Sequence, residues 1–513
     1  MKSISRRSLI KTGLGLGAAA AYSPVSQAGL FIRTRRSRQK AVIIGSGFGG
    51  SVAALRLAEA GIPTMLLERG RHWPYTGENS FPRVNDLLSE LEDGVLWSEP
   101  GLLKSGSTGM LEFYTSTSIG VGCGACLGGG SFVYGGVLLQ PLRENFEAAL
   151  PGLSYDAMDS IYYPRILSRV SGGPIPDDIL NSPNYEAMRT FIDNATAAGM
   201  DVVRSEVGFD WDIIREELQG KRVAAASIGE YAFGCNSGAK KTLDRNYLVD
   251  AEATGNLDIQ TLHNVTHVRQ PRGSRNYEVI CDVLDDRGFV RSRHIIECEY
   301  LFMAAGSLHT TRLLLKAKML GDIKSLNDGI GEEWGTNGDE MMLRQDLNSS
   351  TGVGPQGGPP AIAAFDNINP IKNTSFMHSP VPFNLDRAQV QMGMSIPDKN
   401  SRATYNPLTD RINVNWSKRD NDKSHRAILN SMQRMVDVGG GENIDLGITG
   451  TWHPLGGAAM GTACDYEGEV YGCPNLFVID GALLPGSAGC ANPSLTVGAN
   501  AERIMETLVN RIS

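Results

Sequence analysis

The sequence predicts an α/β protein with a doubly wound sheet, assembled around a dinucleotide-binding strand–turn–helix unit. Three observations predict it. A short β-branched run, Ala41–Ile44, leads into Gly45-Ser46-Gly47-Phe48-Gly49-Gly50 and then into Ser51–Ala60, a segment of helical composition with apolar Val52, Leu55 and Leu57. Gly61 and Pro63 stop that helix, and a second strand, Thr64–Leu67, delivers Glu68, 23 residues after Gly45. Glycine makes up 60 of the 513 residues, well above the roughly 7% of average proteins and without a collagen-like period, so many tight turns and close backbone approaches to a bound group are expected.

Each element of the unit has a physical reason. Gly45 permits the tight turn, Gly47 lets the backbone approach a pyrophosphate, and Gly50 lets helix and strand pack closely. Phe48 and Gly49 in the turn are further candidate cofactor contacts, the N-terminus of the helix that follows faces the phosphates, and Glu68 suits the acid that accepts hydrogen bonds from a ribose 2′-hydroxyl. The unit alone leaves FAD and NAD both open, because both use it.

Composition bounds the rest. The chain carries 48 Lys+Arg against 56 Asp+Glu, a net charge of −8, with 20% charged and 41% hydrophobic residues. No stretch approaches the roughly 20 apolar residues of a membrane span, so disorder and a stable membrane span are both excluded. At the N-terminus, Ser5-Arg6-Arg7-Ser8-Leu9-Ile10-Lys11, the mildly apolar run Thr12–Tyr22 and the small residues Ser26 and Ala28 read as a twin-arginine signal over residues 1–28, cleaved after Ala28. The expectation is a periplasmic or secreted protein that meets the twin-arginine export machinery already folded. Removing that segment leaves a net charge of −12. On so acidic a body the basic stretch Arg33, Arg35, Arg36, Arg38 and Lys40 reads as a solvated linker over residues 29–39, and no nucleic-acid partner is expected.

Three later segments favour FAD. Gly128-Gly-Gly130-Ser-Phe-Val-Tyr134-Gly135-Gly136 is a second glycine-rich stretch, Leu301-Phe-Met-Ala-Ala-Gly306-Ser307 a buried strand ending in a turn, and Asn475-Leu-Phe-Val-Ile-Asp480-Gly481 a strand ending in an acid. The last is followed by Asn492-Pro493-Ser494-Leu495-Thr496 and a helix over Val497–Ile512. Together they resemble the glucose–methanol–choline (GMC) oxidoreductase superfamily, in its bacterial cholesterol oxidase branch, over nearly all of residues 40–513. The resemblance implies an FAD-binding domain drawn from residues 40–150, 225–325 and 450–513. The substrate domain, antiparallel sheet with covering helices, would take 151–224 and 326–449. It implies FAD contacts at Gly130, Tyr134, Gly135 and Val137, at Val265 in the strand Leu262–Val268 whose backbone would touch the adenine, and at Gly306, Asp480 and Ser494. No His occurs between Cys123 and Gly136, where some members tether the flavin, so the FAD is expected to be non-covalent.

Trp452-His453-Pro-Leu-Gly-Gly457 matches the family's His-Pro-Leu-Gly-Gly motif and Asn492 its paired Asn. Oxidising an alcohol moves a hydride to the flavin while the hydroxyl loses a proton, and imidazole exchanges protons at neutral pH. His453 is therefore assigned as proton acceptor or hydroxyl-orienting group, with Asn492 as its partner. The implied activity is FAD-dependent oxidation of a hydrophobic, sterol-like secondary alcohol to a ketone, with O2 or another electron acceptor. A dehydrogenase serving a quinone or cytochrome, and a flavoprotein without alcohol chemistry, such as a photochemical one, are the alternatives.

The sequence departs from the cholesterol oxidase pattern in three places. In the stretch Thr374–Pro382, His378 stands where that branch carries a proton-shuttling Glu, with Asp366 the nearest acid upstream, so His378 is a third candidate catalytic residue and double-bond isomerisation is in doubt. Tyr134 replaces an Asn beside the flavin, and the lid segment Trp73–Ser118 has diverged. Met341, Met342, Phe376, Met377 and Phe383 lie where they could line a substrate cavity or serve as core. No metal site is expected: Cys123-Gly-Ala-Cys126 lacks the second pair a zinc site wants and reads as small-residue filling rather than a redox dithiol. Cys464 and Cys473 flank a short loop that a disulfide could close.

Overall fold

The computed structural model describes residues 32–83, 95–100, 106–116, 118–445 and 450–512. The expected export signal, residues 1–28, lies outside them, and so does part of the lid segment. Two sheets organise the chain. The first has seven strands, with Leu257–Gln260, Thr64–Leu67, Thr34–Ile44 and Val290–Met303 side by side and parallel. Val290–Met303 is long enough to serve two partners on its far side. Its first part pairs antiparallel with Tyr277–Leu284, which continues to His263–Arg269, and its end pairs parallel with Leu476–Val478. Near-continuous apolar runs such as Ala41–Ile44 and Leu301–Met303 are what a parallel strand covered on both faces requires, and all of these residues are buried. The helix Phe48–Glu59 packs against Tyr247–Ala253 and the closing helix Pro493–Ile512.

Residues 34–39, expected as solvated linker, instead extend the first strand, in register with Arg293–Cys298. The reason is charge at period two: Arg36, Arg38 and Lys40 reach Glu278, Glu297 and Glu299 at 3.2, 2.7 and 3.2 Å on the neighbouring strands. Exposed pairs of this kind contribute only about 0–1 kcal/mol each, but they satisfy an otherwise charged edge. The glycine turn follows the expected logic. Gly45 has φ +102°, and a Cβ there would stand 2.2 Å from the carbonyl oxygen of Ala304, while a Cβ on Gly50 would stand 2.0 Å from that of Gly45. The turn, the helix and the end of Val290–Met303 are thereby locked together.

The second sheet is wholly antiparallel. Its six strands run in the order Gly440–Asp445, Asp339–Leu347, Ala388–Met394, Thr374–His378, Ile362–Asp366, Asp201–Arg204. Helices Glu186–Ala197 and Asp422–Gly439 cover one face. Arg411–Val414 alternates half-buried and buried residues and pairs with Ala403–Asn406 in a separate two-stranded sheet. No helix among the described residues is long and apolar enough to cross a membrane.

Candidate active site

A cavity of about 450 Å³ runs from the glycine turn of the first sheet to the uncovered face of the second. Gly45, Gly47, Phe48, Gly49 and Glu68 line it, as do Gly130, Tyr134, Gly135 and Val137 from the second glycine stretch. Val265, Gly306, Asp480 and Ser494 complete that wall. Of the residues expected to hold a dinucleotide only Gly50 stays out of it, spent on helix packing. A Cβ added at Gly47, Gly130 or Gly306 would meet no protein atom within 4 Å, so three bare backbones face open space, the cradle a pyrophosphate needs. The closing helix begins at Pro493, earlier than expected, which puts Ser494 in its first turn on the cavity wall, where helix N–H groups have no partner within the helix.

Hydrogen bonds hold this wall. The Glu68 carboxylate accepts from Ser46 Oγ at 2.7 Å and from the Gly70 amide at 2.9 Å, and Ser46 Oγ also accepts from the Gly128 amide at 3.0 Å. Ser46, a position the glycine pattern leaves unspecified, thus stitches the first glycine turn to the second. Asp480 accepts from the Gly306 amide (2.8 Å), Thr310 Oγ1 (2.6 Å) and the Ala482 amide (2.8 Å). Burial nonetheless pushes its carboxyl up to about 6, against those hydrogen bonds. Tyr134 meets Phe48 edge-on at 5.8 Å, and its buried hydroxyl has no partner.

At the other end, His453 and Asn492 come together: His453 Nε2 lies 3.4 Å from Asn492 Nδ2, and Asn492 Oδ1 is buried without a partner. On the opposite edge of the imidazole, Nδ1 lies 3.3 Å from Oδ1 of Asp339, the first residue of its strand. The other Asp339 oxygen accepts from Thr451 Oγ1 at 2.7 Å, and Thr451 Oγ1 accepts from the His453 amide at 2.9 Å. Asp339 has no motif of its own, and only its place at a strand start beside Thr451 reveals it.

His378 is not brought to this site. Side chains alternate along a strand, so Met377 and Ser379 line the cavity while His378 points behind the sheet, buried, with Nε2 3.0 Å from Gln356 Oε1. Burial alone lowers its pKa to about 3. Cross-strand register instead aligns Met341, Met392 and Met377 in one row on the cavity wall. Met392 was not among the expected lining residues; Met342 and Phe376 belong to the core behind the sheet, and Phe383 packs beside that of Leu343.

The cysteines are thiols. Cys123 lines the cavity, and burial pushes it up to about 12; Cys126 is buried beside it. Cys464 and Cys473 are free rather than paired, with Cys473 Sγ 3.1 Å from Ser325 Oγ. Among the described residues one set has metal-ligating donors within 4.8 Å, His263, Cys281 and His294. Arg35 and Ser37 hold both nitrogens of His294 at 3.0 and 2.7 Å, and the Thr261 carbonyl holds Nδ1 of His263 at 2.8 Å, so hydrogen bonds account for the cluster.

The GMC oxidoreductase family models match residues 9–331 and 398–501. The chain is 25% identical to a cholesterol oxidase of Acinetobacter baumannii, over 90% of this chain and 93% of that protein. It is also 25% identical to a cholesterol oxidase of Mycobacterium tuberculosis (strain CDC 1551 / Oshkosh), over 92% and 91%. The solved structure of a fungal aryl-alcohol oxidase has the same fold, with a TM-score of 0.64 at 14% identity over 93% of this chain and 100% of that one.

Proposed function

This chain belongs to the GMC oxidoreductase family, FAD-dependent enzymes that act on alcohols, and we propose from that premise that it oxidises a hydrophobic, sterol-like secondary alcohol to a ketone. The observation that carries the reading is the His453–Asn492 pair, 3.4 Å apart, at the junction of a glycine cradle and a methionine-lined chamber. FAD, when bound, supplies a hydride acceptor. Gly47, Gly130 and Gly306 fit its pyrophosphate region as bare backbone, with Glu68 beside them for a ribose hydroxyl.

The chain's own residues then deal with the hydroxyl. His453 Nε2 receives or orients the O–H proton, and Asn492 holds the oxygen as charge builds on it. The substrate carbon loses its hydride and the oxygen its proton, leaving a ketone. Met341, Met392 and Met377 supply a polarizable apolar wall that adapts to a rigid ring system and excludes water. The described acids lining the cavity are Glu68 and Asp480, both hydrogen-bonded within the cofactor wall. With His378 turned away, the ketone leaves with its double bond unmoved. The FAD is held without a covalent bond, and the protein works outside the cytoplasm.

Anaerobic mixing of the FAD-loaded protein with alcohols from short chains to sterols tests this. Bleaching of the flavin by a sterol, with an unshifted enone-free product, is the expected result; colour returning in air makes the enzyme an oxidase, and slow return makes it a dehydrogenase with another acceptor. No bleaching by any apolar secondary alcohol overturns the reading. Denaturation in acid should release all of the yellow colour.

A further inference from the structure

We infer that Asp339 is the positioning residue that sets the tautomer of His453, so that proton handling at the site depends on a carboxylate delivered by the substrate-side sheet; this rests on His453 acting on the hydroxyl as proposed above. Asp339 begins the strand Asp339–Leu347 of the six-stranded sheet, whereas Thr451 ends the short strand Gly450–Thr451, which pairs with Gly120–Val121, and His453 follows it. The contact therefore joins the two halves of the cavity. The carboxylate side chain is only 3% exposed. One oxygen is committed to Thr451 Oγ1 at 2.7 Å and the Trp452 amide at 3.3 Å, which fixes the plane of the group. The other stands 3.3 Å from His453 Nδ1, and neither of these two atoms makes a hydrogen bond here, to the other or to any other described group.

An ionised carboxylate can only accept, so the neutral imidazole that faces it carries its hydrogen on Nδ1. Nε2 is then bare, turned to Asn492 Nδ2 and the cavity. That is the nitrogen an alcohol proton must reach. In the free site the Asn492 amide N–H occupies the lone pair; when the substrate hydroxyl enters, its proton passes to Nε2, and the resulting imidazolium is stabilised by the negative charge already in place at Nδ1. The balance is simple: the O–H bond breaks and its proton forms the Nε2–H bond, the electron pair left on oxygen becomes the second C–O bond, and the hydrogen on the carbinol carbon departs as hydride, for which bound FAD would supply the acceptor. Hydrogen bonds at free catalytic sites are often long or poorly aligned and form fully only with the substrate bound, and the 3.3 Å approach of Nδ1 to Oδ1 is expected to close into one in that way.

The experiment compares Asp339→Asn, Asp339→Glu and His453→Ala with the wild-type holoenzyme, following anaerobic flavin reduction by the best alcohol, together with 15N shifts of histidine-labelled wild-type and Asp339→Asn protein. Expected are an Nδ1–H tautomer at His453 in the wild type and loss of that tautomer in Asp339→Asn. Flavin reduction should slow about 10²-fold or more in Asp339→Asn, with flavin content retained and partial recovery in Asp339→Glu. An Nε2–H tautomer in the wild type overturns the inference whatever the variants do. Asp339→Asn reducing flavin at the wild-type rate while His453→Ala does not also overturns it, and leaves the alcohol reading standing. Normal reduction in His453→Ala overturns the alcohol reading itself.

Discussion

Met377 and His378 are neighbours on one strand and face opposite sides of the sheet, Met377 into the cavity and His378 onto Gln356 behind it. The residue that occupies the sequence position of a shuttling acid is thus a core histidine, and its variants should behave accordingly. Its pKa is depressed from 6.5 to about 3 by burial, so between those values the unfolded chain takes up a proton that the native state refuses. Stability should fall as pH drops from about 6.5 towards 3. Burial also holds His294 and His309 near 4, so the acid limb is shared, and the difference between wild type and His378→Gln isolates this residue. Denaturant titrations should give a shallower loss in His378→Gln, which keeps a donor for Gln356, and steady-state turnover should be near normal. A large loss of turnover with normal flavin content would return His378 to the catalytic set.

His453→Ala and Asn492→Ala make the opposite prediction. Both side chains border the cavity, and neither braces the glycine cradle. Flavin content, read from visible absorption per mole of protein, should remain near stoichiometric. Alcohol-driven reduction should fall by about 10²- to 10⁴-fold in His453→Ala, the usual contribution of an acid–base group.

The distinction between these histidines shows what the sequence makes legible. Motif-borne positions, from Gly45 to Ser494, converge on one cavity because their spacing encodes backbone geometry that tolerates little else. His378 and Met392 depend on which face of a strand points inward, and a run like Thr374–His378, buried on both sides, carries no polar alternation to tell the faces apart. Residues 34–39 read as linker in the sequence yet extend the first strand, for a related reason. Their cations at period two make sense only beside Glu278, Glu297 and Glu299, whose strands lie some 240 residues or more away in the chain. Asp339 is invisible for the same cause: its partner is 114 residues distant and no motif joins them.

The glycine cradle gives a paired test. A Cβ at Gly45 must collide with the Ala304 carbonyl and adopt φ +102°, so Gly45→Ala should damage the fold itself and lower the thermal midpoint of the flavin-free protein. Gly47 has an ordinary φ of −68° and open space above it. Gly47→Val should therefore leave the flavin-free midpoint nearly unchanged while filling the place reserved for phosphates. The expected readout is colourless, folded protein with little retained FAD; full FAD occupancy in Gly47→Val would show that the cradle lies elsewhere.

Export is the last prediction, and it follows from the order in which flavin and fold are acquired. The flavin wall is assembled from residues 45–49, 68, 129–137, 263–265, 304–307 and 480–494, so it exists only once most of the chain has folded. A pathway that threads unfolded chains would deliver the protein before its cofactor can be enclosed, whereas the Arg6-Arg7 pair, if it acts as the proposed twin-arginine signal, would address one that carries folded cargo. Replacing both arginines with lysine should leave the fold untouched and block transport. Fractionated cells should then hold yellow, active precursor in the cytoplasm and lose the shorter mature form outside it. Unchanged export of the Lys-Lys variant would reject the twin-arginine signal and, with it, the placement of the enzyme beyond the inner membrane.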